Sequence, residues 1–142
     1  MALTSFTPEQ TFPCFESLVF ESRTATSYAD TATVTTTELL GGLLIDTKNG
    51  AATLTLPTAA LLNAAVPGAQ AGKSFVFYVR NTGNNTATVA VGTGGTSASG
   101  NTLTVATVST RIFLVLITAV SNSVDPSSTD TYTLYSLGVS QH

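Results

Sequence analysis

The sequence contains few of the residues that carry out chemistry. It has one cysteine, one histidine and no tryptophan, and only 9% of its 142 residues are charged. A single cysteine cannot form an internal disulfide, and one cysteine with one histidine cannot supply the ligand set of a zinc site. The histidine is the last residue, His142, where a Ser-His-Asp or Cys-His arrangement is hard to build. We therefore expect no catalytic residues, no cofactor-binding residues and no metal site.

Basic residues and long apolar runs are also scarce. The five basic residues are scattered along the chain and cannot form the basic stripe that binds phosphates, so no nucleic-acid partner is expected. The longest apolar candidate, "IFLVLITAV" from Ile112 to Val120, has the length of a strand and falls short of the ~20 residues of a membrane-spanning helix. The start, "MALTSFTPEQ", lacks the features of a signal peptide. The sequence predicts a protein made in a cytoplasm that does not enter membranes.

One stretch, "PGAQAGKS" from Pro67 to Ser74, superficially resembles a phosphate-binding loop. Such a loop needs glycine at its first position, and it follows a strand and opens a helix. Here the first position is Pro67, which has no N–H, and the stretch leaves a predicted helix and enters a predicted strand. We interpret it as a helix-to-strand connection.

Two close carboxylate pairs keep acid–base chemistry open as an alternative. They are Glu16 with Glu21 and Asp125 with Asp130. Neither pair lies in a segment that suggests a cleft, so we favour solvated carboxylates. The segment "DPSSTD" could offer oxygen ligands to calcium, but it lacks the carboxylate density of known calcium loops.

The residues that are abundant favour β-structure. About a fifth of the chain is threonine, a residue enriched in strands. Alternating runs predict strands at "LLIDT", "AATLTLP", "KSFVFYVRN" and "TATVAVG", which the turns "KNG" and "NTGNN" join as hairpins. "TRIFLVLITAV" is apolar on both faces, as in a central strand covered on both sides. Thr58 is predicted to cap the one short helix, and "ATVTTTELL" reads as a strand. We identify no internal repeat. The expected fold is all-β, an antiparallel jelly-roll-like β-sandwich with one short helix and an extended N-terminal arm.

The N-terminal part is the least regular. Residues 1–38 are predicted to hold the arm and the first strand or strands, one near Ser17 to Arg23, and residues 39–142 the sandwich. Four of the seven phenylalanines lie in the first twenty positions, among prolines that disfavour a helix or a central strand. These aromatic residues either fold back onto the sandwich or anchor it to a neighbour. The candidate interface residues are Phe6, Phe12, Phe15, Leu18 and Phe20.

Several motifs resemble a known family. The "LPTAA" turn into a short helix ending at "PGA", the strand "AGKSFVFYVRNTG" and the glycine-rich "VGTGG" are similar to those of a β-sandwich module in virion surface proteins. These are head fibres, decoration proteins and minor capsid proteins of double-stranded DNA viruses and tailed phages. The resemblance covers roughly Leu39 to Leu137 and leaves the first 38 residues unmatched. It implies a jelly-roll-like fold, frequent trimers and a role in stabilising or decorating a capsid, without catalysis.

The sequence therefore predicts a structural protein on the exterior of a virion, assembled in the host cytoplasm. We expect a homo-oligomer, most simply a trimer, in which one sheet face packs against sister subunits and the arm binds the major capsid protein. Three arms would turn modest single-arm affinity into durable attachment. The alternative is a module that binds a host receptor or glycan through Thr93 to Ser99 and Asp125 to Asp130, with Tyr132 as the aromatic contact.

Overall fold

The computed structural model describes residues 22–122 and 129–141. Within these ranges the chain forms two sheets and two short helices. The larger sheet has the strand order β1-β3-β5-β9-β10-β7, and the smaller sheet has the order β2-β4-β6-β8. The strands are β1 Thr24–Tyr28, β2 Ala32–Thr33, β3 Gly42–Asp46, β4 Ala52–Thr55, β5 Ser74–Asn81, β6 Ala87–Ala90, β7 Gly95–Ser97, β8 Thr104–Val105, β9 Ser109–Ala119 and β10 Thr131–Gln141, and the helices are α1 Thr36–Gly41 and α2 Ala59–Ala65.

The first six strands alternate between the two sheets. Strands β1, β3 and β5 pair in parallel in the larger sheet, and β2, β4 and β6 pair in parallel in the smaller one. Each pair of consecutive strands is thus one turn of a coil, as in β-solenoid proteins. Helices α1 and α2 return the chain from the smaller sheet to the larger one.

This connectivity corrects the expected hairpins. The turns after β3 and β5 carry the chain from one sheet to the other, so "KNG" and "NTGNN" do not join paired strands. The arrangement places Leu44 of β3 and Leu54 of β4 in opposite layers of one core, and both are fully buried. Antiparallel pairing is found only between β5 and β9, β9 and β10, and β6 and β8 among the described strands. The mostly-β, two-sheet architecture is confirmed, whereas an antiparallel arrangement throughout is wrong.

The core lies between the sheets and follows the alternation of the strands. Phe77 of β5 and Phe113 of β9 stack with ring centroids 5.4 Å apart, and both are fully buried. Leu39 of α1 and Leu62 of α2 join the same cluster. Burying side chains of this size contributes roughly 1.5 to 3 kcal/mol each, so the inner faces of the two sheets and the two helices stabilise one another.

Helix α1 lies where the sequence pattern "ATVTTTELL" predicted a strand. Thr35 and Glu38 form a capping box, in which the Thr35 Oγ1 accepts from the Glu38 N–H and the Glu38 carboxylate accepts from the Thr35 N–H. Gly42 ends the helix with a φ of 86°, a conformation that glycine adopts without strain. The threonines favoured a strand, but the local capping contacts and the burial of Leu39 stabilise a helix. The predicted cap of α2 is confirmed, since the Thr58 side chain accepts from the Leu61 N–H.

The coil has an internal repeat that we did not identify in the sequence. Asp46 to Thr55 and Asn81 to Ala90 make equivalent turns. Thr47 donates from its N–H and hydroxyl to the Tyr28 carbonyl, and Thr82 donates in the same way to the Asp46 carbonyl. Within these two turns, four pairs of residues are identical at a spacing of 35, namely Thr47 and Thr82, Asn49 and Asn84, Ala52 and Ala87, and Thr53 and Thr88. The prediction of no repeat is therefore wrong.

Candidate contact surface

The outer face of the larger sheet carries a continuous apolar patch. Because side chains alternate along a strand, the neighbours of the buried core residues point away from the core. Strand register places Leu43, Tyr78 and Ile112 side by side in one row, and Val76, Leu114 and Tyr135 in the next. All are half-buried rather than buried. We name this patch the apolar face; it consists of Leu43, Ile45, Val76, Tyr78, Ile112, Leu114, Leu116 and Tyr135.

The outer face of the smaller sheet has the opposite character. Thr53 and Thr88 lie side by side on β4 and β6, in strands whose inward neighbours Leu54 and Val89 are fully buried. Thr104 continues the row on β8. The protein therefore has one outer sheet face covered by threonine hydroxyls, here called the threonine face, and one that exposes aliphatic and aromatic groups.

Polar residues border the apolar face. The guanidinium carbon of Arg23 lies 4.7 Å from the centroid of the Tyr78 ring, a cation–π contact. Arg23, Arg80 and Thr110 surround a shallow depression of about 260 Å³ that Leu43 and Tyr78 also line. At the opposite border, Ser74 and Thr133 flank Leu116. An apolar centre with a polar rim is the usual anatomy of a protein contact surface.

Sequence reasoning found part of this surface. "TRIFLVLITAV" was expected to be covered on both faces. Its inner side chains Phe113, Val115 and Ile117 are fully buried, but Ile112, Leu114 and Leu116 on its outer side are only half-buried. What the prediction missed was that the outward positions of β3 and β5 are apolar as well. That signal was present in "GLLID" and "SFVFYVRN".

The predicted interface residues lie outside the described part of the chain. They are Phe6, Phe12, Phe15, Leu18 and Phe20, and Cys14, Glu16 and Glu21 belong to the same undescribed segment. The predicted strand near Ser17 to Arg23 also falls mostly there, and β1 begins at Thr24. Asp125 and His142 are likewise outside the described residues.

Tyr132 does not provide the exposed aromatic contact that the glycan hypothesis expected. Its side chain is fully buried. The hydroxyl accepts from the Gly92 N–H at 2.9 Å and donates to the Pro57 carbonyl at 3.2 Å, and burial raises the pKa of the tyrosine. Tyr132 thus joins β10 to the two connections that flank the smaller sheet. That part of the prediction is wrong.

The carboxylate of Asp130 is held by hydrogen bonds within the fold. Its Oδ1 accepts from the Asn63 side chain at 2.7 Å and from the Ser121 N–H at 3.0 Å, and its Oδ2 accepts from the Ser121 hydroxyl. The Asn63 amide, followed by the Ser121 backbone, holds the pKa of this carboxyl below its ordinary value. Asp130 therefore fixes helix α2 to the end of β9 and the start of β10. It also borders a depression of about 590 Å³ whose lining includes Thr58, Thr93 and Ser121.

The remaining sequence motifs can be placed as well. Pro67 to Lys73 connects α2 to β5, so the stretch that resembles a phosphate-binding loop follows a helix and enters a strand, as predicted. Within residues 22–122 and 129–141, no three residues of the types His, Cys, Asp and Glu are close enough to hold a metal ion. None of the helices described is long and apolar enough to cross a membrane.

Comparison with known proteins gives no relative for this chain: no family model, no curated protein and no solved structure matches it.

Proposed function

We propose that this protein is a structural component of a virion, mounted on the capsid exterior, that acts by binding rather than catalysis. The observation that supports this most directly is the contrast between the apolar face and the threonine face. A sheet that leaves eight aliphatic and aromatic side chains half-buried on its outer side has a contact surface in need of a partner. The motif resemblance to decoration, minor capsid and head-fibre proteins is our reason for proposing a virion as the assembly that uses this surface.

The assembled state has two sets of contacts. The apolar faces of sister copies pack together in a homo-oligomer, for which a trimer is the proposed form. The N-terminal arm, through Phe6, Phe12, Phe15, Leu18 and Phe20, binds the major capsid protein. Several arms in one oligomer bind at once, so the effective concentration of each arm is high once the first has bound.

The test uses particles that carry the protein. Imaging of intact particles should show the protein on the outer surface in symmetric clusters. Deletion of residues 1–20 should reduce its retention on particles through washing. Undiminished occupancy of the deletion variant would remove the arm from the proposal, and absence of the wild-type protein from particles would overturn the proposed function itself.

A second candidate is a module that binds a host glycan. The observation that favours it is the depression near α2, which threonine and serine hydroxyls line beside Asp130. Hydroxyls and a carboxylate can form hydrogen bonds with a sugar, although the buried Tyr132 cannot stack on it. A glycan array that detects no binding of the wild-type protein would exclude this candidate. If a glycan binds, Thr93→Ala is the paired variant and should weaken the binding.

A further inference from the structure

The described chain begins beside the apolar face. Ser22 is exposed, and the next residue, Arg23, places its guanidinium over the Tyr78 ring. Tyr78 lies in the row of the apolar face that runs from Leu43 to Ile112. Residues 1–21 are therefore attached to the sandwich at a border of its most apolar outer surface.

The length and composition of this segment match the surface. The face spans the strands β3, β5, β9 and β10, a width of about 14 Å at roughly 4.8 Å between neighbouring strands. Twenty-one extended residues span up to about 70 Å, so the segment can cross the face with length to spare. It carries the apolar groups to fill the face, which are Leu3, Phe6, Phe12, Phe15, Leu18, Val19 and Phe20. Next to Ile112, Gly138 leaves room on the face, because no described residue lies within 4 Å of where its side chain would begin.

The charges are complementary as well. The segment contains three glutamates, Glu9, Glu16 and Glu21, and no lysine or arginine. Two of the five basic residues of the protein, Arg23 and Arg80, line the depression at the border of the apolar face. An acidic segment that crosses this border meets positive charge, and the aromatic residues beyond it meet aliphatic side chains.

From these observations we propose that residues 1–21 lie across the apolar face of their own chain in the free protein. Attachment at Ser22 gives the segment a high effective concentration at this surface, which a second copy reaches only at high protein concentration. The contact within the isolated chain does not depend on the proposed function. The release of the segment on the particle does rest on the proposed function. On the particle, the segment moves to the capsid, and the face it leaves becomes available to sister copies.

The single cysteine allows a direct test on the full-length protein. Cys14 is labelled with a photoreactive benzophenone maleimide, the free protein is illuminated, and cross-linked peptides are mapped by mass spectrometry. We expect cross-links to β5 and β9 on the apolar face, around Val76 and Leu114. In a mixture of ¹⁵N-labelled and unlabelled chains, the isotope content of each cross-linked pair of peptides shows whether it comes from one chain or from two. Cross-links within one chain support the proposal. Cross-links between chains only, to the threonine face, or to no part of the sandwich overturn it.

Two matched pairs of variants sharpen the result. Leu114→Glu places a charge in the centre of the apolar face, and Thr88→Glu places the same charge on the threonine face. Arg80→Glu reverses a charge at the border, and Lys73→Glu reverses one outside it. Leu114→Glu should raise the alkylation rate of Cys14 by about tenfold relative to Thr88→Glu. Arg80→Glu should raise it by about two- to fivefold relative to Lys73→Glu, because an exposed charge contributes less. Because Arg80 is exposed, its variant keeps the test decisive if Leu114→Glu fails to fold. Equal alkylation rates in a variant and its control would contradict the proposal.

These measurements use the free protein, whereas the proposed function is tested on particles. A segment that lies elsewhere in the free protein leaves the virion role untouched. If the protein is absent from particles, the cross-linking result still holds for the isolated chain.

Discussion

At the scale of single residues, equivalent positions of the coil show how a buried polar side chain is accommodated. Asn81 accepts from the Gly83 N–H and donates to the carbonyls of Asn85 and Val105, so its amide is fully used. Asp46 occupies the equivalent position and accepts from the Lys48 N–H, but its Oδ2 has no partner among the described residues. Both side chains are fully buried.

This comparison predicts that Asp46→Asn stabilises the protein. The amide keeps the acceptor for the Lys48 N–H and replaces an unpartnered carboxylate oxygen with a donor. We expect the free energy of unfolding to rise by about 1 kcal/mol, while Asp46→Ala lowers it by about 1 to 3 kcal/mol. Urea denaturation measures both. A destabilised Asp46→Asn would contradict this prediction and would mean that the introduced amide finds no acceptor at this position.

Tyr132→Phe should destabilise the fold without exposing new surface. The substitution leaves the Gly92 N–H and the Pro57 carbonyl without their buried partner, at a cost of about 1 to 3 kcal/mol. Tyr135→Phe is the control, because Tyr135 is half-buried on the apolar face. Thermal unfolding of the two variants checks this, and equal midpoints would mean that the Tyr132 hydroxyl does not support the smaller sheet.

At the scale of elements, helix α1 should make stability depend on pH. The Thr35 N–H and hydroxyl both donate to the Glu38 carboxylate at 2.8 Å, and they hold the pKa of Glu38 below its ordinary value. A lowered pKa in the folded state stabilises the protein above the ordinary pKa of glutamate, about 4.3, and this stabilisation is lost as the pH falls through the folded value.

Glu38→Gln keeps an acceptor for the Thr35 N–H and removes the titration. Its unfolding free energy should lie below that of the wild type at pH 7 and decline less between about pH 5 and pH 3, so that the two proteins converge in acid. Denaturation series across this range measure the slope. Asp130→Asn tests another carboxyl with a lowered pKa in the same way. Identical acid slopes in Glu38→Gln and wild type would show that the capping box does not contribute.

Local patterns predicted the elements better than their connections. The alternation in "KSFVFYVRN" and the Thr58 cap depend on neighbouring residues, and both predictions are confirmed. Whether a turn joins paired strands or carries the chain to the other sheet depends on contacts distant in sequence, such as that between Thr82 and the Asp46 carbonyl. The repeat at a spacing of 35 was the available signal for that choice. The apolar face was only partly predicted because it combines outward positions from several strands.

At the scale of the whole molecule, the two sheets give the protein two unlike sides. Threonines on the smaller sheet offer hydroxyls to water, and the larger sheet offers apolar groups that water solvates poorly. In the arrangement we propose, the N-terminal segment covers the apolar face in the free chain and sister copies cover it in the particle. Either cover would lower the free energy by removing apolar groups from water.

A single charge on the apolar face should separate assembly from folding. Leu114→Glu removes a side chain whose burial contributes roughly 1.5 to 3 kcal/mol and adds a carboxylate that the contact would desolvate. We expect occupancy on particles to fall by about tenfold or more, since each 1.4 kcal/mol is a factor of ten. Thr88→Glu, at a comparable position of the threonine face, should leave occupancy unchanged. Circular dichroism establishes that both variants are folded, and quantitative mass spectrometry of purified particles measures occupancy. Full occupancy of folded Leu114→Glu would mean that the apolar face does not contact its neighbours in the particle.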